Sequence, residues 1–182
     1  MSKLQSELDI ATNDGRLSRP TVAYADASKL PYLNAVIKES LRLFSPVALS
    51  LPRHVPAGGA IIAGEFIPAG TTVGINAAVI HKDARIFGSD PDTFNPDRWL
   101  GGGDATADAK RMEQYMFHFG GGTRVCLGKN VSICELYKLI PQLFRDFELE
   151  LVDPEMQWRT WNSMFNKQKG VVVSIRRREV HS

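Results

Sequence analysis

Residues 117–130 read FHFGGGTRVCLGKN, one cysteine in a loop that carries four glycines, two phenylalanines and an arginine. What Cys126 binds decides the fold. A phosphate loop is excluded by spacing, because G-x-x-x-x-G-K-[ST] ending at Gly128-Lys129 needs glycine where Thr123 stands and Ser or Thr where Asn130 stands. A thiol nucleophile is a second reading, since a helix N-terminus and Arg124 would lower the cysteine's pKa. It needs a base, and His118 is the near one, but no signature of such an enzyme surrounds it. A buried structural cysteine is the usual fate of this residue type.

A metal-bound thiolate gives every neighbour a task. Cys126 would ligate haem iron, a bond that pushes electron density to the iron and favours O–O cleavage. Gly120, Gly121 and Gly122 would allow a tight turn against the macrocycle. The Leu127 and Gly128 amides at a helix start would donate hydrogen bonds to the sulfur. Phe119 would shield the thiolate, and the planar fork of Arg124 suits a propionate.

Outward from the loop, the chain of 182 residues is one ordinary domain in size, 43% hydrophobic and 23% charged. A net charge of +2, with RRR at 176–178 as the longest basic run, gives no case for nucleic acid. Cys126 and Cys134, eight apart in one predicted helical stretch, make no disulfide framework and point to a reducing compartment. No apolar run suits a signal peptide or a membrane span.

The pattern predicts a short helix over SKLQSELDI and a stronger one over Pro31–Phe44, where Leu33, Val36, Ile37, Leu41 and Phe44 form one stripe behind an N-terminal proline. Residues 50–81 read as small antiparallel hairpins, GAIIAG and FIPAGTTVGINAAVI. A proline-rich coil follows, then a glycine-led polar insert at 101–112, predicted to be a mobile loop. A helix is expected from about Cys126 to Phe144, with FELEL and GVVVSIRRR as strands of a C-terminal sheet. The fold class is α+β, mainly α, with small antiparallel sheets.

Phe119-x-x-Gly122-x-Arg124-x-Cys126-x-Gly128 resembles the cysteine-ligand signature of the cytochrome P450 family, the haem-thiolate monooxygenases. Five fixed positions in ten are specific. Glu39 and Arg42 in ESLR resemble the family's Glu-x-x-Arg, and Arg98 in PDTFNPDRW its partner in a three-membered structural ion cluster. Arg53 in LPRHV resembles the basic residue that holds the other propionate, so the cofactor-binding set implied is Phe119, Gly120, Arg124, Gly128 and Arg53, with Cys126 on the metal. His81 resembles a family position that opens a helix and makes hydrogen bonds. Val47, Ala48, Leu49, Met164 and Phe165 occupy the substrate-facing segments.

The resemblance runs from Ser2 to Arg177 and implies the C-terminal, haem-ligating part of that fold as a single unit, 1–182. It implies haem b with an axial thiolate, O₂, and electrons from NAD(P)H through a reductase whose acidic face meets Lys129 and Lys138. It also implies a small apolar substrate and, in eukaryotic members, the endoplasmic reticulum membrane, although no anchor stands in this sequence; its general appearance is fungal. AGEFI and AGTTV do not supply the family's distal acid–alcohol motif. The sequence is therefore read as a fragment of a longer monooxygenase or, alternatively, as a truncated non-catalytic haem-binding remnant.

Overall fold

Helix α3 (Pro31–Leu43) is the beam on which the other elements hang. Pro31 stands in its first turn, and the two oxygens of Glu7 accept from the amides of Tyr32 (2.7 Å) and Leu33 (2.8 Å), so a carboxylate from the preceding helix satisfies donors the helix cannot. That preceding helix is α1 (Ser2–Asn13), followed by the single turn α2 (Tyr24–Ala27). The computed structural model describes residues 1–101 and 104–179. Leu4, Leu8 and Ala11 of α1 pack with Leu33 and Ile37 of α3 and with Tyr137 of α7 (Lys129–Asp146) in one buried cluster.

Strand β1 (Ser50–His54) pairs antiparallel with β4 (Thr72–Asn76), enclosing the hairpin β2 (Ala60–Ile62) and β3 (Glu65–Ile67). The β-rich run expected through Ile80 stops at Asn76, because the Asn76 side chain accepts from the Ala78 amide (2.9 Å) and starts the turn α4 (Ala77–Ile80). Asp83 caps α5 (Ala84–Phe87) in the same way. The coil that follows ends in a 3₁₀ turn, Pro96–Trp99.

The insert at 101–112 is a second departure from the sequence reading: α6 (Asp104–Gln114) occupies most of it, while residues 102 and 103 lie outside the described residues. Ala, Lys, Arg, Met, Glu and Gln are good helix formers. Met112 then buries against Phe87, Trp99 and Ala35, a second small core between α3 and α6.

Beyond α7, β5 (Phe147–Leu151) pairs with β8 (Val173–Arg177), and β6 (Arg159–Asn162) with β7 (Asn166–Lys169), all antiparallel. The architecture is α+β with helices dominant and, among the described residues, four two-stranded sheets.

Candidate functional site

Gly120 (φ 70°) and Gly122 (φ 63°) turn the cysteine loop, both in the left-handed region that costs a side chain 1–2 kcal/mol or so. The loop is held by its own backbone: Gly120 donates to the Phe117 carbonyl (2.8 Å), and Cys126 donates to the Phe119 carbonyl (2.8 Å) across the turn. A 3₁₀ turn, Gly122–Arg124, delivers Cys126 to the surface three residues before α7.

Cys126 thus stands ahead of the helix, not inside it as the sequence pattern implied. Gly128 takes the cap position without a side-chain cap, and Lys129 donates back to the Cys126 carbonyl (3.2 Å). Among the described residues neither the Leu127 nor the Gly128 amide donates to the sulfur, contrary to expectation. A β-carbon built on Gly128 would sit 3.9 Å from Sγ, an ordinary van der Waals contact. Phe119 does not cover Cys126: its ring packs at a tilt against His118, 4.6 Å between centroids, and the cysteine is exposed.

His118 is turned inward, 6.0 Å from the His81 ring, with Nδ1 buried and unpartnered. Burial, with the nearby His81 and Lys129, pushes its pKa down to about 4. No hydrogen bond joins it to Cys126 among the described residues, so the cysteine–histidine pair required of a thiol nucleophile is not assembled.

Across from the loop lies the β1–β4 sheet, and between them runs a groove of about 390 Å³. Its walls are Leu51, Val73 and Ile75 on that sheet, Ile62 on the β2–β3 hairpin, and Phe117 with Gly120–Gly122 on the loop; Arg53 is the charged residue on the sheet wall. The Arg53 guanidinium reaches only the Pro52 carbonyl (2.8 Å), and neither it nor Arg124 has an ion-pair partner among the described residues. Leu127 is fully exposed beside the sulfur, with Val125 and Val131 also in solvent.

Glu39, Arg42 and Arg98 meet in one cluster. Glu39 and Arg42 are 0% exposed; the carboxylate accepts from Arg42 Nε (2.9 Å) and Nη2 (2.8 Å), Arg98 Nε (3.0 Å), the Asn95 amide (2.9 Å) and Trp99 Nε1 (2.8 Å). Burial opposes the charge, but these donors outweigh it and hold the Glu39 carboxyl below its usual range. Arg42 also donates to the carbonyls of His81, Pro91 and Thr93, and Arg98 to Asp90 and the Phe87 carbonyl. Residues far apart in sequence are thereby fastened to α3.

His81 ends α4 rather than opening a helix, because Lys82 and Asp83 turn away before α5 starts. It is wholly buried: Nδ1 lies 3.1 Å from the Arg42 carbonyl and Nε2 accepts from the Phe117 amide (2.9 Å).

Val47 and Ala48 are half-buried and Leu49 is exposed, while Met164 and Phe165 are exposed at the tip between β6 and β7. Sequence reasoning did not foresee how these segments meet: Asn166 donates its amide to the Pro46 carbonyl (2.7 Å) and its side chain to the Ser45 carbonyl (2.9 Å). The polar residue following an apolar tip was the available signal. Lys129 and Lys138 are both exposed but, nine residues apart, lie on opposite sides of α7 and do not share one face.

The family model for cytochrome P450 matches residues 1–175. The chain belongs to the cytochrome P450 family. It is 41% identical over 178 residues to the cytochrome P450 monooxygenase ACRTS1 of Alternaria alternata, covering 98% of this chain and 46% of that protein. It is 42% identical over 173 residues to the cytochrome P450 monooxygenase gsfF of Penicillium aethiopicum, covering 95% and 33%. A third such relative, AFLA_114810 of Aspergillus flavus, is 41% identical over 182 residues, 100% of this chain and 35% of its own. The chain thus spans a third to just under half of the length of these three relatives.

Proposed function

We propose that this P450 chain supplies the thiolate side of a haem site in a monooxygenase, with Cys126 as the iron ligand. The observation that carries the reading is the single exposed cysteine at the N-terminal end of α7, on a glycine-turned loop that faces an apolar groove. One ligand suffices for a haem, and the residues present fit it: a thiol, apolar walls and unpaired guanidiniums at Arg53 and Arg124 for two propionates.

A thiolate-ligated haem supplies activation of O₂ with two electrons, one oxygen atom entering a C–H bond and the other leaving as water. The chain's own residues set the conditions for that chemistry. The N-terminal, positive end of the α7 dipole points toward the loop that carries Cys126. Gly120 and Gly122 hold the turn, and the Cys126–Phe119 hydrogen bond fixes where the sulfur emerges. Glu39, Arg42 and Arg98 are structural: they tie α3 to the segment before α6 and take no part in chemistry.

Val47, Ala48, Leu49, Met164 and Phe165 form an apolar substrate surface joined through Asn166. Electrons come from NAD(P)H through a reductase that meets the cysteine-loop side near Lys129. No helix among the described residues is long and apolar enough to cross a membrane. The test is turnover of the haem-loaded protein with a reductase under ¹⁸O₂. One labelled oxygen atom in an apolar product supports the reading; reductase-dependent turnover with no labelled product rejects it.

A further inference from the structure

The loop that presents Cys126 is fastened to the rest of the protein at one end by α7. At its other end the chain runs from α6 through Tyr115 and Met116 to Phe117, which is where a side chain takes hold of it. His81, 36 residues earlier, accepts the Phe117 amide on Nε2 (2.9 Å), and its Nδ1 lies 3.1 Å from the Arg42 carbonyl. An imidazole that accepts on Nε2 must carry its proton on Nδ1, so Nδ1–H donates to Arg42 and the tautomer is fixed by its two partners. Arg42 closes the ring by donating Nη1 to the His81 carbonyl (2.8 Å).

From Phe117 the hydrogen bonds continue to the cysteine. The Phe117 carbonyl accepts from Gly120, and the carbonyl of Phe119, within that same turn, accepts from the Cys126 amide. A route of hydrogen bonds and short backbone links therefore runs from the buried Glu39–Arg42 pair through one imidazole into the turn that aims the sulfur. The imidazole has no solvent contact, and the phenylalanine and histidine rings of Phe87 and His118 pack on it at 6.1 and 6.0 Å.

Building on the haem-thiolate reading, we infer that neutral His81 is a positioning residue for the Cys126 ligand, acting as a strut between the α3 ion cluster and the cysteine loop. It touches neither the sulfur nor the haem groove. Its effect is on where Phe117 holds the turn, and hence on whether Cys126 stays close enough to iron to bind as a thiolate. Loss of the strut leaves the part-buried Phe117 amide without its acceptor, which favours a shifted loop.

Three variants separate this role from general stability. His81→Leu removes both bonds. His81→Gln places a carbonyl oxygen where Nε2 stood and keeps the Phe117 bond while losing the Arg42 one; His81→Asn does the reverse. Two readouts are used: hydrogen exchange of the Phe117 amide in the haem-free chain, and the ratio of thiolate-type to thiol-type carbon monoxide spectra in the reduced, haem-loaded protein.

The strut predicts at least tenfold faster Phe117 exchange and a majority thiol-type spectrum in His81→Leu and His81→Asn. His81→Gln should stay near wild type on both, whatever its melting temperature. If His81→Leu does not fold, the Asn and Gln pair carries the comparison. Asn and Gln variants that lose the thiolate spectrum equally, or that both keep wild-type exchange, overturn the inference. A wild-type protein with no thiolate-type spectrum would instead overturn the ligand assignment on which it rests.

Discussion

Replacing Glu39 by alanine removes a carboxylate that has no exposure to solvent and accepts five hydrogen bonds from four residues. The guanidiniums keep other partners: Arg42 three carbonyls, Arg98 the Asp90 carboxylate and backbone. The Nε donors of both arginines, the Asn95 amide and the Trp99 indole N–H lose theirs in an interior that water does not reach. Breaking a buried pair by deleting one partner costs about 3–5 kcal/mol. A domain's whole stability is about 5–15 kcal/mol, and for a chain of this length each kcal/mol moves the melting temperature by roughly 2–4 °C. Glu39→Ala should therefore lower the melting temperature by about 10 °C and reduce haem retention, because the cluster anchors Arg42 and through it the loop. Glu39→Gln, which keeps one acceptor oxygen but no charge, should fall between. Thermal unfolding by circular dichroism, read beside haem content, checks this. A Glu39→Ala protein that melts within 2 °C of wild type, with full haem, would show that the cluster holds nothing together.

Acid should loosen the protein before its carboxylates titrate, since His81 and His118 are held neutral with pKa values pushed from 6.5 down to about 4. The unfolded chain binds those protons near pH 6.5 and the folded chain only near 4, so stability falls as pH drops through that window. His81 alone contributes on the order of 3 kcal/mol of the loss; urea midpoints at pH 7 and pH 4.5 measure it, and equal midpoints would contradict it. Lys129→Glu should slow reduction by the reductase at low salt and matter little at high salt, whereas Lys138→Glu, on the far side of α7, should leave the rate unchanged at both; stopped-flow reduction separates them, and equal slowing by both refutes the assignment of one docking side.

Much of this was legible because it is local. The apolar stripe and first-turn proline of α3 announce the helix, the Gly and Pro signals delimit the hairpins, and the spacing around Cys126 marks the loop. Helix α6 was hidden by its polar, glycine-led composition: among its described side chains only Met112 is deeply buried, too few for periodicity to register. The start of α7 was misplaced because Gly128 caps it with no side chain to mark the boundary. What the sequence could not display are bonds between distant residues. The Glu7 cap on α3, the His81 bridge from Arg42 to Phe117 and the Asn166 clasp on Ser45 and Pro46 depend on tertiary approach, and none has a period or a spacing.

Cys126 and Cys134 offer the most direct test of the account, since Cys126 is exposed on the loop while Cys134 lies one and a half turns inside α7, partly buried. The measurement is the carbon monoxide spectrum of the reduced, haem-loaded protein for wild type, Cys126→Ser and Cys134→Ser. The account predicts that Cys126→Ser alone abolishes the thiolate-type band and that Cys134→Ser leaves it unchanged. A thiolate-type band that survives Cys126→Ser, or disappears with Cys134→Ser, would contradict it.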